Sequence, residues 1–393
     1  MKKSLFLICT LFVINLQAQN PTYNEKLFYT CKVWGFVKYF HSRVSTCQVD
    51  WDSVLVKRLP HIKGAITNND FNNELDTLLQ MAGPMAIAVT PALPVAPELR
   101  RNLNFSWINH PILRNDIKVI LDTIKNNYRS HTNCWVHDNT GGSNTSWLIH
   151  PHDSLMLNLN TNVNFPNEYF RLLAGFKYWN IINYFYPYNY VLDEPCDSIL
   201  SKKILLFANA ATTKDFAYAV KKMNASLKDA HAVSSQASGG APYYYYTPQV
   251  KVMHTQGKYI VVKSNVSPIS RGDAIVSVNG VTPQAMEDSL RPYISAGDSS
   301  VFYRFMNTYL LNGNVNTPVV IGYSDSLGVN HTLSCNRTDL YTAAYFKSVY
   351  NDTLNTVKWQ MLNCNTGYVN MGNLLTTDVN AMYNDLIGHL NHA

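Results

Sequence analysis

Between Tyr169 and Phe185 the apolar residues Tyr169, Leu172, Leu173, Phe176, Trp179, Ile182 and Phe185 recur at three- and four-residue steps. That spacing lays a broad apolar stripe on one side of a helix, and Pro187 ends it. Asp197-Ser198 and Asp215-Phe216 then read as the openings of two further helices. The same pattern occurs earlier in the chain. Trp34–His41 pairs with Trp179–Tyr186 at an offset of 179 − 34 = 145, and the offset also matches Asp52–Leu55 with Asp197–Leu200 and Asp70-Phe71 with Asp215-Phe216. Ungapped agreement over three separated blocks predicts two copies of one helical unit, about 24–82 and 169–227. Aromatic stripes at helical spacing belong to a core.

Residues 83–168, between the copies, change character. Gly83–Pro97 is rich in Ala, Val and Pro, and Asn158–Asn167 is dense in asparagine. One helix is expected at Asp116–Tyr128, with loops and short strands elsewhere. From Tyr243 the period shortens to two. Val250–Met253, Tyr259–Val262, Ala274–Val278, Val319–Gly322 and His331–Cys335 read as strands, punctuated by Gln256-Gly257 and Asn279-Gly280. Thr282-Pro283 opens a short helix through Leu290. A last strand, Gly367–Met371, leads to a helix at Asp378–Leu390.

The amino terminus follows a different rule. Met1-Lys2-Lys3 precedes an apolar run, Leu5–Leu16, and then Ala18. A charged start, a short apolar core and a small residue at the cut describe a secretory leader. The run is too short for a stable membrane span. The expectation is an exported protein, periplasmic or extracellular, with no stable membrane insertion. Its mature part keeps Cys31, Cys47, Cys134, Cys196, Cys335 and Cys364, at long irregular spacings that suit incidental bridges or buried thiols. The formal charge of +6 includes the leader lysines, and no basic run alternates with aromatics. Nucleic acid is therefore not an expected partner.

Candidate chemistry is sparse. His131, His137, His150 and His152 gather near Asp138 and Asp153, but read as solvated loop histidines, so no metal or other cofactor is expected. Asp229 and His231 suggest a dyad, yet no Gly-x-Ser-x-Gly motif accompanies them. Their expected role is structural. Ser198, Ser226, Ser234 and Ser235 have no recognisable lysine partner in the sequence.

Three segments together carry a resemblance: Trp34–His41, the block Arg171–Pro187, and Asp229-Ala230-His231 followed by Gly272-Asp273…Asn279-Gly280. With the strand Gly367–Met371, they make the chain resemble the C-terminal processing, or tail-specific, serine peptidases, in a branch common among exported proteins of Bacteroidetes-like bacteria. The resemblance implies an α+β multidomain fold: a leader (1–18), helical unit copy 1 (19–82), an irregular insert (83–168), helical unit copy 2 (169–240), a PDZ-like β module (241–340) and the first strand and helix of an incomplete α/β peptidase core (341–393).

In that family the PDZ-like module holds the carboxyl end of a polypeptide, and a serine activated by a lysine cleaves it. Carried to this chain, the resemblance implies a peptide site with Gly239 and Gly240 as an anion nest, Tyr243 and Val250 on the first strand, and Gln284 to Leu290 as the groove wall. Pro242 removes one backbone donor beside that nest. The family's core continues into a second strand, the serine and the lysine, and none of the three is matched before His389-Leu390-Asn391-His392-Ala393. The expectation is the amino-terminal part of such a peptidase, truncated before its catalytic pair, with no catalytic residue here. The alternative is a non-enzymatic periplasmic peptide-binding or adaptor protein.

Overall fold

A computed structural model describes residues 20–85, 102–127, 133–135, 165–232, 246–340, 359–363, 366–369, 380 and 383–384. The fold is mixed helix and sheet. It divides into two compact units: the helices through Leu227, and Lys228–Ala232 together with the strands from Tyr246 onward.

In the first unit the principal helices are α1 (Tyr23–Phe40), α2 (Ser42–Ser45), α3 (Trp51–Gly64), α4 (Asn68–Met81), α5 (Asn115–Asn126), α6 (Glu168–Phe185), α7 (Cys196–Asn209) and α8 (Thr213–Ala225). Polar caps start several of them. Thr67 and Thr212, again 145 apart (212 − 67), each close a capping box with Asp70 and Asp215, which satisfies the orphan amide donors of a first helical turn. α1 is buried nearly all round because Leu27, Cys31, Val33, Trp34, Phe36 and Val37 have no exposed surface. It packs against α3, α4, α5, α6 and α7. Burying each such side chain contributes about 1.5–3 kcal/mol. In α6 the stripe is core from Leu172 to Trp179, whereas Phe185 at its end is exposed.

The offset of 145 recurs in three dimensions. α1 and α6 both start and end 145 residues apart (168 − 23 and 185 − 40), and so do α3 and α7 (196 − 51 and 209 − 64). Contacts follow the same rule. Trp34 Nε1 donates to Trp51 O at 3.1 Å, and Trp179 Nε1 to Cys196 O at 2.8 Å. Lys26 and Arg171 each reach back-end carbonyls of the next helix, Lys63 O at 2.9 Å and Ala208 O at 2.7 Å. Tyr23 Oη donates to Glu168 Oε1 at 2.6 Å, and the Tyr39 ring lies 5.5 Å from that of Tyr184. These pairs also differ by 145, so α1 and α6 run side by side in register. Cys47 and Cys134 form a disulfide, while Cys31 and Cys196 are buried free thiols.

The second unit is an antiparallel sheet, β2-β3-β4-β5-β6, from Val250–Thr255, Lys258–Ser264, Ala274–Val278, Pro318–Ser324 and Asn330–Asn336. β1 (Tyr246–Thr247) leads into β2 and pairs with β7 (Asp339–Leu340), which follows β6. Asn279 and Gly280 both take positive φ, 50° and 79°, in the turn after β4, as an Asn-Gly turn requires. Two helices cover the sheet, α9 (Pro283–Leu290) and α10 (Ser299–Tyr309). A separate hairpin, β8–β9, is formed by Trp359–Asn363 and Thr366–Val369. The expected leader, the insert histidines His131, His137, His150 and His152, and most of the expected last helix lie outside the described residues. Among the described residues, no helix is long and apolar enough to cross a membrane.

Candidate functional site

The residues expected at a peptide site are not all brought together. Gly239, Gly240 and Tyr243 lie outside the described residues. Val250 starts β2 but is buried in the core of the sheet unit. Gln284 is exposed on α9, its Nε2 donating to Asp288 Oδ1 at 3.0 Å, and Leu290 packs partly against the same core as Val250. α9 packs on β4, whereas the helix laid along β2 is α10. The wall beside the first long strand is therefore α10 and not the segment Gln284–Leu290.

α10 is crowded with aromatic and β-branched residues, which suit a strand as well as a helix. Two signals were present. Asp298 caps the helix, its Oδ1 accepting from Val301 N–H at 3.0 Å, and Val301, Phe302, Phe305, Met306 and Tyr309 follow at helical spacing.

β2 is an outer strand of the five-stranded sheet, bonded only to β3 within it. Its free edge meets α10. The backbone N–H of His254 donates to Asn307 Oδ1 at 2.7 Å. The His254 ring stacks on Tyr303 with centroids 3.4 Å apart and planes 6° from parallel. Burial lowers the His254 pKa, with a smaller opposing pull from Glu287, which favours the neutral ring in this stack. The outward backbone donor of this outer strand is thus capped by a side chain, one way in which sheet edges are covered.

α9 is anchored by a buried polar pair. Tyr259 Oη on β3 donates to Glu287 Oε1 at 3.0 Å, and burial together with that carboxylate raises the tyrosine pKa. Beside α9 lies a concavity of about 380 Å³ whose lining includes Val278, Val281, Met286 and Leu310, with Arg337 among its polar groups. The Arg337 guanidinium is bonded to Leu311 O at 2.9 Å and Pro318 O at 2.8 Å, so it braces this wall.

Other candidate chemistry resolves as structure. The His231 side chain is 99% exposed, and Asp229 Oδ1 accepts from the His231 backbone N–H at 2.9 Å. This is a surface turn, tied to the sheet unit by Asp229 N–H donating to Ser295 Oγ at 3.0 Å. Ser226, read as having no lysine partner, does have one: Lys203 Nζ donates to its Oγ and to Lys222 O. Both acceptors sit at the C-terminal end of α8, where a cation meets orphan carbonyls and the negative end of the helix dipole. Among the described residues no group of three His, Cys, Asp or Glu side chains could hold a metal ion.

No family model matches the chain, and no curated protein matches it. Among solved structures, mature CPAF is similar over 38% of this chain and 29% of that one, with 12% identity and a TM-score of 0.29. Mature CPAF complexed with lactacystin is similar over 38% of this chain and 30% of that one, with 13% identity and a TM-score of 0.28. The similarity spans less than a third of those chains.

Proposed function

We propose that this chain forms the substrate-recognition part of an exported tail-specific serine peptidase, with two copies of one helical unit and a PDZ-like module that receives the free carboxyl end of a polypeptide. The motifs Arg171–Pro187, Asp229-Ala230-His231 and Gly272–Gly280 support the family reading. The observation that carries the binding role is the edge of β2: its His254 N–H points at α10 and is held by the Asn307 carboxamide. An incoming strand would replace Asn307 with its own carbonyl, and the main-chain bonds would supply affinity while neighbouring pockets select side chains.

The test is fluorescence anisotropy on the full chain, using a labelled decapeptide with an apolar, free C-terminus and its C-terminally amidated twin. The free-acid peptide should bind at least about tenfold tighter, since charge-assisted bonds to a carboxylate are lost in the amide. Asn307→Ala should tighten binding of the free-acid peptide by releasing the strand donor. Equal binding of the two peptides, or none, would sink the reading. Mass spectrometry of the same incubations separates recognition from cleavage: intact peptide means that this chain binds as an adaptor would.

A further inference from the structure

The two equivalent carboxylates of the helical unit, Asp52 and Asp197 (197 − 52 = 145), are not equally filled. Each is met by the lysine of the other half: Lys32 Nζ lies 2.6 Å from Asp197, and Lys177 Nζ lies 3.3 Å from Asp52 (177 − 32 = 145). Asp52 has a second cation. Lys38 Nζ lies 2.5 Å from its Oδ1 and 3.8 Å from the centre of the Trp135 ring, and both charged side chains are almost wholly buried. The position equivalent to Lys38 is 38 + 145 = 183, and it is Asn183.

Where the long lysine is missing there is space. A cavity of about 300 Å³ opens beside Asp197, with Lys32, Asn102, Asn104, Asn183 and Asn189 in its lining. The Asp197 side chain is 46% exposed, against 2% for Asp52. Among the described residues Lys32 is the sole ionic partner of Asp197. The remaining lining is mixed, with Leu192 and Pro195 beside the carboxamides. Asn102 Nδ2 donates to Tyr186 O at 2.8 Å and Asn189 Nδ2 to Asn183 O at 3.1 Å, so each keeps its oxygen and one N–H, whereas Asn104 Oδ1 already accepts from Ser106 N–H at 3.0 Å. The Asp197 carboxylate and the oxygens of Asn102 and Asn189 can accept from a positively charged donor.

We propose that this cavity binds an alkylammonium group, with Asp197 as its counter-ion, in the place that Lys38 fills at the equivalent site. Two ammonium groups on one carboxylate is an arrangement the molecule already holds at Asp52. There the second cation rests against Trp34 and Trp135, at 4.7 and 3.8 Å from the ring centres. At Asp197 the carboxamide oxygens take the role of those rings. The volume exceeds that of an ammonium alone, so a primary amine on a short carbon chain fits. It is a property of the helical unit and does not depend on peptide binding by the sheet unit.

The probe is n-butylamine, titrated calorimetrically into the full chain at pH 7, with 1-butanol as its neutral isostere. The amine should bind saturably and the alcohol at least about tenfold more weakly, as a charge-assisted bond exceeds a neutral one. Asp197→Asn should abolish amine binding. Asn183→Lys should also abolish it while the protein stays folded by circular dichroism, because the substitution supplies the ammonium from within. This variant keeps the idea testable even where Asp197→Asn destabilises the helices. No amine binding, equal binding of the alcohol, or undiminished binding by folded Asn183→Lys would overturn the proposal. An arm with a tripeptide, free or acetylated at its amino end, separates sources: preference for the free form over n-butylamine assigns the site to chain termini, and the reverse to small amines.

Discussion

The Cβ that Gly35 lacks would lie 1.8 Å from the carboxamide oxygen of Asn180, a residue 180 − 35 = 145 positions later. Asn180 Nδ2 donates to Cys31 O at 3.2 Å and to Phe176 O at 2.9 Å. Those two carbonyls are themselves 145 apart (176 − 31). One buried side chain therefore bonds the same turn of both helices, and it fits only because its counterpart has no side chain.

Gly35→Ala should destabilise the protein by about 1–3 kcal/mol, the usual cost of overpacking a filled site. Asn180→Ala alone loses the two carbonyl bonds, but it makes room. The double variant should therefore be less unstable than the sum of the singles, read as a coupling in urea denaturation. Additive effects would mean that the two positions do not share one space.

Asp52 should contribute to the loss of stability in acid. Its burial pushes the carboxyl pKa up, but Lys38 and Lys177 outweigh that and hold it below the usual carboxylate value. A carboxyl whose folded pKa is depressed contributes stability above its unfolded pKa, and loses it as pH falls through the folded one. Melting temperature should drop below about pH 4, and Asp52→Asn should flatten that acid limb. At pH 7 the same change strands Lys38 and should cost about 3–5 kcal/mol.

Lys221 has the opposite sign. It is buried, and desolvation lowers its pKa from 10.5 to about 8. The folded state binds fewer protons than the unfolded chain between those values, so stability should rise as pH climbs from about 8 to about 10. Lys221→Met should raise the melting temperature at pH 7 and remove this alkaline gain. A flat profile in the parent protein would contradict the assignment.

The Cys47–Cys134 bridge spans 87 residues and ties Cys134, next to Trp135, to the loop after α2. Trp135 Nε1 donates to Val44 O at 2.8 Å, and its ring covers Lys38. Cys134→Ser should cost about 2–4 kcal/mol in oxidising buffer and nothing extra in reductant, measured by chemical denaturation in both.

Local chemistry made much of this fold readable in one dimension. The capping threonines, the Asn279-Gly280 turn and the stripe from Tyr169 to Phe185 are each specified by residues within a few positions of one another. The strand Ala274–Val278 emerges with the bounds that its alternation and turns imply. The offset of 145 was also legible, because it is a comparison of the chain with itself. α10 was not, since its aromatic residues suit strand and helix alike until a sheet is present to cover.

What only the tertiary structure decided are relations between distant residues. The sequence contains Lys32, Lys177, Asp52 and Asp197, but their crossed pairing follows from α1 and α6 lying side by side. It contains Asn183 at the position of Lys38, but that becomes a cavity only when Asp197 is placed beside it. Likewise Asn307 became a partner for β2 only once α10 was laid along that edge. Spacing along the chain sets which element forms; which carboxylate is filled, and which strand donor is covered, depends on packing that no short segment encodes.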